Sequence, residues 1–523
     1  MVRLVDPILV TGLILLAAVI AFVTNRLPVG VVAVGVAVAL WATGILPLND
    51  ALAGFGDPTV VFIATLFIIS EALDSTGVTA WAGQQVITRG GAGRRPLLVM
   101  ICLLVALLTA LISVNGAVAA LIPVVVVVAV RVGMSPSQML MPLAFSAHAG
   151  SMLALTGTPV NIIVSEGAAD AGEGPFGFFE FSLVGVPLVV GTIVLMLLLG
   201  RRLLPHVEPE TVPADVAEYA RALRSDYSIP DGIELIGTRA GVTEAMVSTR
   251  SPLIGTHLFA GQATPSGDLV VLGLRRGDSE IAGADTVLMA GDTLLLRGTW
   301  EHLERHTAGD EVLVVARPEE LRRAVPLGRG AKRAMVILLA MVILLATGAV
   351  PPAVAGLLAA GAMILTGVLS APRAYRAISW TTVLIVAGMI PLSTAFASTG
   401  TADLIAQTLL DVVGDSSPRL ALFAMCLITL LLGQLISNTA TVLIMVPIAT
   451  VIAADLGVSV LPFMMALAVV GAAAFLTPVA TAANTMVMEP GGYKFGDYWK
   501  FGLPLVILFL SVAVLWVPVV WHF

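Results

Sequence analysis

Charge is scarce in this chain. Of 523 residues, 12% are Asp, Glu, Lys or Arg, against roughly a quarter in soluble domains. That scarcity excludes an ordinary water-soluble protein, and a 58% hydrophobic content with mean hydropathy +1.00 makes the chain an integral membrane protein. Cysteine is almost missing. Cys102 and Cys426 both lie inside apolar runs, which excludes a disulfide framework and a thiolate metal site and leaves small apolar packing. The chain also lacks a basic stripe suited to nucleic acid. It shows neither a nucleophile–base pair nor a metal cluster, so an enzyme is not expected.

What the chain has in abundance is apolar sequence. Runs fall at about 7–24, 28–47, 58–75, 96–131, 139–165 and 182–200. After a polar gap they resume at about 334–349, 353–370, 381–398, 418–454, 461–488 and 501–521. Each is of a length to enter or cross ~30 Å of hydrocarbon. The first run resembles a signal peptide but has no small-residue cleavage site, so it is read as a span.

The two sets of runs are copies of each other. Pro28 answers Pro351, Thr43-Gly44 answers Thr366-Gly367, and the Ser-Thr-Gly at 75–77 answers that at 398–400, all 323 residues apart. Ser113 and Ser437, and Pro123 and Pro447, are 324 apart. A near-constant offset over more than 100 positions marks an internal duplication. The expected organisation is membrane repeat 1 over 5–204, a central domain over 205–330, and membrane repeat 2 over 333–521.

Lys and Arg set the orientation. With the central domain cytoplasmic, the connections bearing Arg26, Arg94/Arg95, Arg131, Arg201/Arg202, Arg373/Arg376 and Lys494/Lys500 lie inside. This requires 96–131 and 418–454 to be re-entrant hairpins that leave by the face they entered. Each repeat then crosses five times, so the repeats are inverted and both chain termini lie outside. The expected fold is a polytopic α-helical membrane protein of two inverted repeats, each with a re-entrant hairpin and a broken helix (139–170 and 461–490), and a small α/β domain between them. That is the architecture of secondary transporters.

Polar knots interrupt the greasiest stretches. One hairpin tip reads "SVNGA", with Ser113, Asn115 and Gly116, and the other "SNTAT", with Ser437, Asn438, Thr439 and Thr441. The breaks read "TGTPVN", with Gly157, Thr158, Pro159 and Asn161, and "TPVATAAN", with Thr477, Pro478 and Asn484. Backbone that leaves the helix at membrane depth needs a cavity or a ligand to satisfy it. Oxygen-rich tips suit Na+, and amides with helix N-termini suit an anion. The alternative is polar glue between helices; four interruptions related by a duplication favour the ligand site. Ser113, Asn115, Gly116, Thr158, Pro159, Ser437, Asn438, Thr439, Thr477 and Pro478 are the candidate substrate residues. Ser113, Asn115, Gly157, Asn161, Asn438, Thr441 and Asn484 are the candidate Na+ ligands. His148, in "LAFSAHAGSMLAL", is a candidate proton acceptor should H+ be the coupling ion; its bland reading is a packed, hydrogen-bonded histidine.

"ISNTATVLIMVPIA", "LTGTPVN" and "LTPVATAAN" resemble the divalent-anion/sodium symporter family of dicarboxylate, citrate and sulfate carriers. The resemblance covers 5–204 and 333–521. It implies Na+ and anion binding by Ser437, Asn438 and Thr439, a homodimer, and an elevator-type movement of the site. Repeat 1 departs from the family motif by placing Val114 where the Asn belongs. In the centre, alternation in "DLVVLGLRR" and "DTLLLRG" reads as strands, Asp215–Tyr227 reads as a helix, and the stretch 240–306 resembles the TrkA-C fold, which implies a small regulatory ligand or a role in dimerisation. The function these readings imply is Na+-coupled symport of a small divalent anion across a bacterial-type inner membrane. The rivals are an H+-coupled carrier or cation/proton antiporter on the same scaffold and a membrane ligand sensor.

Overall fold

The computed structural model describes residues 6–24, 26–79, 81–82, 85, 93–131, 134–205, 207, 216–229, 235–237, 240–264, 266–277, 279–281, 286–307, 312–314, 318, 328, 330–413, 417–434, 436–478 and 481–523. They form two compact units: Met1–Glu71, Val86–Thr211 and Val336–Phe523 in one, Ala72–Gln85 and Val212–Met335 in the other.

The larger unit is helical. Its first half contains α1 (Pro7–Thr24), α2 (Val29–Ala42), α3 (Leu48–Leu52), α4 (Pro58–Ser75), α5 (Arg94–Leu111), α6 (Val114–Arg131), α7 (Ser137–Gly150), α8 (Pro159–Asp170) and α9 (Ser182–Leu203). After α10 (Val216–Asp226) and α11 (Trp300–Thr307) of the smaller unit, the second half repeats the order. It has α12 (Ala331–Thr347), α13 (Pro352–Leu365), α14 (Ala371–Ala377), α15 (Trp380–Thr399), α16 (Thr401–Val413), α17 (Pro418–Gly433), α18 (Asn438–Asp455), α19 (Leu461–Gly471), α20 (Ala482–Met488) and α21 (Tyr498–Ser511), which a π-turn joins to α22 (Val517–Val520). Among the described residues, six helices are long and apolar enough to cross a membrane. Local signals set the ends: Pro opens α4, α8, α13 and α17 where no amide hydrogen bond is lost. Gly44 and Gly367 close α2 and α13 at φ of 76° and 70°, conformations that side chains resist.

Hydrogen bonds show which helix ends share a face. The hydroxyl of Ser137, at the start of α7, donates to Pro205 O at 2.9 Å, just past the end of α9, and Ser135 reaches Val207 O. Arg94, at the start of α5, lines one groove with Arg201 and Leu204. The segment 94–131 therefore enters and leaves by one face, as the charge distribution predicts. Tyr493, beyond α20, donates to Ser137 O and accepts from Met141 N, so the broken helix of repeat 2 ends where that of repeat 1 begins. At the other face, Phe463 of α19 stacks edge-on against Phe523, and Trp521 donates to Glu180 at 2.8 Å. The broken helix of repeat 2 starts there and runs opposite to that of repeat 1. The repeats are inverted.

The halves exchange helices through small residues. A Cβ on Gly388 of α15 would lie 2.5 Å from the Ala33 backbone of α2, and one on Gly356 of α13 would collide with Thr65 of α4. Ala33/Gly356 and Thr65/Gly388 are each 323 apart, so the two contacts are one contact made twice. Close backbone approach is how helices pack when lipid and side chains are equally apolar.

The smaller unit holds β1 (Ala240–Val247), β2 (His257–Leu258), β3 (Leu269–Arg276), β4 (Ser279–Glu280), β5 (Thr286–Val287), β6 (Asp292–Thr299) and β7 (Val312–Val314). Five of them form an antiparallel sheet in the order β4-β3-β6-β1-β7, and β2 pairs with β5. Val247, Val271, Leu294, Leu296 and Leu303 fill its core around Trp300, whose indole donates to Gly237 O at 2.9 Å. Arg276 clamps buried Asp292 through two bonds of 2.7 and 2.8 Å, which hold the carboxyl below its ordinary range. The helix read over Asp215–Tyr227 is observed as α10. Asp74 is buried and accepts from the Thr79 hydroxyl at 2.9 Å.

Gly388→Val forces α2 and α15 apart. Overpacking of this kind costs about 1–3 kcal/mol, so the purified variant should melt several degrees below wild type, while Gly361→Val, at a position with open space around its Cα, should not.

Candidate functional site

Each hairpin tip is a helix start, with Ile112 extended just before the first and Ser437 extended just before the second. Ser113 at the first tip accepts from Gly116 N at 3.2 Å and shares a hydrogen bond of 3.2 Å with Ser70 of α4. Gly116 is required here, because a Cβ would lie 2.9 Å from Ser70 Oγ. Ser437 does the equivalent at the second tip, accepting from Ala440 N at 3.3 Å, while its carbonyl accepts from Thr441 N and the Thr441 hydroxyl. The candidates thus divide. Ser113, Ser437 and Thr441 are committed to the turns. Asn438 and Thr439, half-buried, and Asn115, exposed, make no hydrogen bond with the described residues.

The breaks are built alike to the atom. Asn161 Nδ2 donates to Ser151 O and Ala154 O, both at 2.9 Å, ten and seven residues back. Asn484 Nδ2 donates to Ala474 O at 2.8 Å and Thr477 O at 3.1 Å, again ten and seven back. Each carboxamide thereby satisfies two carbonyls that the break frees. Thr158 caps α8 and Thr481 caps α20. Offsets are 323 for both pairs, so the structural partner of Thr158-Pro159 is Thr481-Ala482 and not Thr477-Pro478. Thr477 and Pro478 contribute instead their carbonyls, to Asn484 and to the Thr485 hydroxyl. Gly157 lies against the Ser151 carbonyl, where no side chain fits.

The tips are tied to the breaks. In repeat 1, the Thr156 hydroxyl donates to Ala110 O at 2.9 Å. In repeat 2, Gln434 donates to Ala473 O at 3.2 Å and accepts from Leu476 N at 3.1 Å. The repeats also interlock: Gly471 of α19 is bounded by Val442 of α18 and Val160 of α8, and Gly167 of α8 by Val446 of α18. His148, buried on α7, places Nε2 3.1 Å from Thr481 Oγ1 of the other repeat and its ring edge-on to Phe475. Gln434, Thr481, Thr156 and Ser70 escaped sequence reading. Thr481 was findable from the 323 offset; Gln434, three residues before Ser437, had no repeat-1 counterpart to flag it, since Ala110 stands there. Glu166 and Glu489 take equivalent places near the ends of α8 and α20 and are both exposed.

Among the described residues four buried side-chain oxygens have no hydrogen-bond partner, and three of them lie at the breaks: Asn161 Oδ1, Asn484 Oδ1 and Thr477 Oγ1, the fourth being Thr192 Oγ1 of α9. Unmatched oxygen acceptors of this kind are the donor type that a hard cation uses.

Comparisons with known proteins agree on the class. A family model described as citrate transporter matches residues 19–421 and 397–523. An uncharacterized transporter of Escherichia coli K12, YfbS, is 30% identical over 98% of both chains. Sodium/sulfate cotransporter 1 of Chlamydomonas reinhardtii is 28% identical over 52% of this chain and 32% of its own length. The solved YdaH transporter of Alcanivorax borkumensis shares the fold, with a TM-score of 0.52, 12% identity and 99% coverage of both chains.

Asn161→Leu and Asn484→Leu each strand two buried carbonyls, at about 1–3 kcal/mol apiece. Both variants should lose thermal stability to a similar degree in detergent; a drop confined to one would show that the two breaks are not equivalent braces.

Proposed function

The chain belongs to the citrate transporter family, and from that membership we propose a secondary active carrier that imports a small divalent anion together with Na+. The coarse class follows from the family; the anion and the ion are our reading. The observation that carries it is the second hairpin tip, where Asn438 and Thr439 present an amide and a hydroxyl with no hydrogen-bond partner among the described residues. In hydrocarbon surroundings such groups are retained when a ligand uses them. The sodium/sulfate cotransporters of Chlamydomonas support Na+ and an oxyanion, and the notched tip of repeat 1, with Val114 in place of an amide, favours a compact anion over a long dicarboxylate.

In this mechanism Asn438, Thr439 and the N-termini of α8 and α18 hold the anion. Its charge is balanced by cations coordinated through Ser113, Asn115, Gly157, Asn161, Thr441 and Asn484. The site alternates between faces by an elevator-type shift within a homodimer, with the smaller unit cytoplasmic, in the inner membrane, serving as a TrkA-C-like regulatory domain. The inverted repeats supply the two related conformations that alternating access needs.

Proteoliposomes test this directly. Under an inward Na+ gradient, labelled sulfate, succinate or citrate should accumulate, and the accumulation should collapse when K+ replaces Na+. Uptake that follows a pH gradient and ignores Na+ would transfer the coupling to His148; tight binding without movement would make the protein a sensor. Asn438→Ala leaves a bound anion one donor short at about 1–3 kcal/mol, so apparent affinity should fall roughly tenfold or more; wild-type uptake would make the tip helix glue.

A further inference from the structure

We propose that the groove between the start of α5 and the end of α9 binds the phosphate headgroup of an anionic membrane lipid. Arg94, Arg95 and Arg201 line this groove together with Leu98, Met196 and Leu204, and no acidic residue lines it among the described residues. None of the three guanidiniums forms an ion pair or hydrogen bond with the described residues. Arg94 and Arg201 are close enough to repel each other. Like charges drawn together without a counter-charge cost energy that an anion between them recovers.

The backbone adds to this field. α5 is an 18-residue helix whose N-cap, Gly93, offers no side-chain cap, so the amides of Arg94 and Arg95, with Pro96 having none, and the positive end of the helix dipole lie beside the groove. Three planar guanidiniums around a helix start match the oxygens of a phosphate, which accept paired hydrogen bonds.

A lipid is favoured over soluble phosphate by what surrounds the groove. Its floor is apolar. Below it α5 exposes Leu103 and Leu107, and α9 exposes Val194 and Leu198, at 50%, 62%, 45% and 69% in the single chain. The groove lies where two apolar helices meet the water interface, so a headgroup seated there lays its tails along those residues. Arginine that merely ends a membrane helix extends into water singly. Arg202 does so: it is exposed and is not among the residues that line this groove. Basic pockets between membrane helices are typical seats for anionic lipid.

The test uses the full chain, delipidated in detergent, with short-chain phosphatidylglycerol, phosphatidylcholine of equal chain length, and inorganic phosphate as probes. Phosphatidylglycerol should raise the melting temperature and remain bound in native mass spectra, and the other two should not. A basic charge at a membrane surface changes affinity roughly fivefold, so Arg94→Gln with Arg201→Gln should weaken retention roughly thirtyfold, and Arg202→Gln should leave it unchanged. Arg95→Glu, at an exposed position, guards against misfolding: its melting temperature without lipid should equal wild type while the phosphatidylglycerol shift is lost. Wild-type retention in Arg95→Glu or in the double variant would overturn the site. A shift reproduced in full by inorganic phosphate would overturn the lipid and make it a soluble-anion site.

Discussion

The structure depends on two carboxamides that hold broken backbone in place inside a hydrocarbon-bound fold. A helix interrupted at membrane depth frees carbonyls that neither lipid nor apolar neighbours can satisfy. Asn161 and Asn484 each cover two of them, from the first turn of the helix that follows the break. Because the donor sits on that helix and the acceptors precede the break, the bonds fix the angle at which the chain resumes. The half-helix N-termini are thereby aimed. Thr158 and Thr481 then cap them, and Thr156 and Gln434 anchor them to the hairpin tips.

Around this brace the two halves behave as one repeated contact. Gly388 against the Ala33 backbone and Gly356 against the Thr65 side chain are positions related by the same offset, met from opposite ends. Neither half could bury its small-residue faces alone, so the duplication is also the packing principle. Opposite direction follows from connectivity: the broken helices end at different faces, shown by Tyr493 at Ser137 and by Phe463 at Phe523.

Much of this was legible in the sequence, for identifiable reasons. The hairpins announce themselves because "SVNGA" and "SNTAT" are polar where arms of 16 to 18 residues are not, and the helices α5, α6, α17 and α18 fall within a few residues of the runs that predict them. The inversion followed from where Arg and Lys fall. The breaks match at an offset of 323, which sets Thr158 against Thr481, while the eye falls first on Pro478, three residues earlier. A proline is conspicuous and a capping threonine is not. Gln434 was invisible because its role is to bridge to Ala473 and Leu476, a relation set by folding rather than by spacing. His148 was noticed for its proton; its contact with Thr481 across the repeats could not be read from either copy.

That contact carries a consequence. The position 323 residues beyond His148 is Gly471, which has no side chain to reach back. A molecule made of two inverted copies has a conjugate shape in which each copy adopts the other's conformation, and perfect copies would make the pair degenerate. One imidazole, present in a single copy, lifts that degeneracy: the conjugate shape has nothing to put where His148 meets Thr481. In a carrier built of two inverted copies, a contact that only one copy can make leaves the two conjugate shapes unequal in energy.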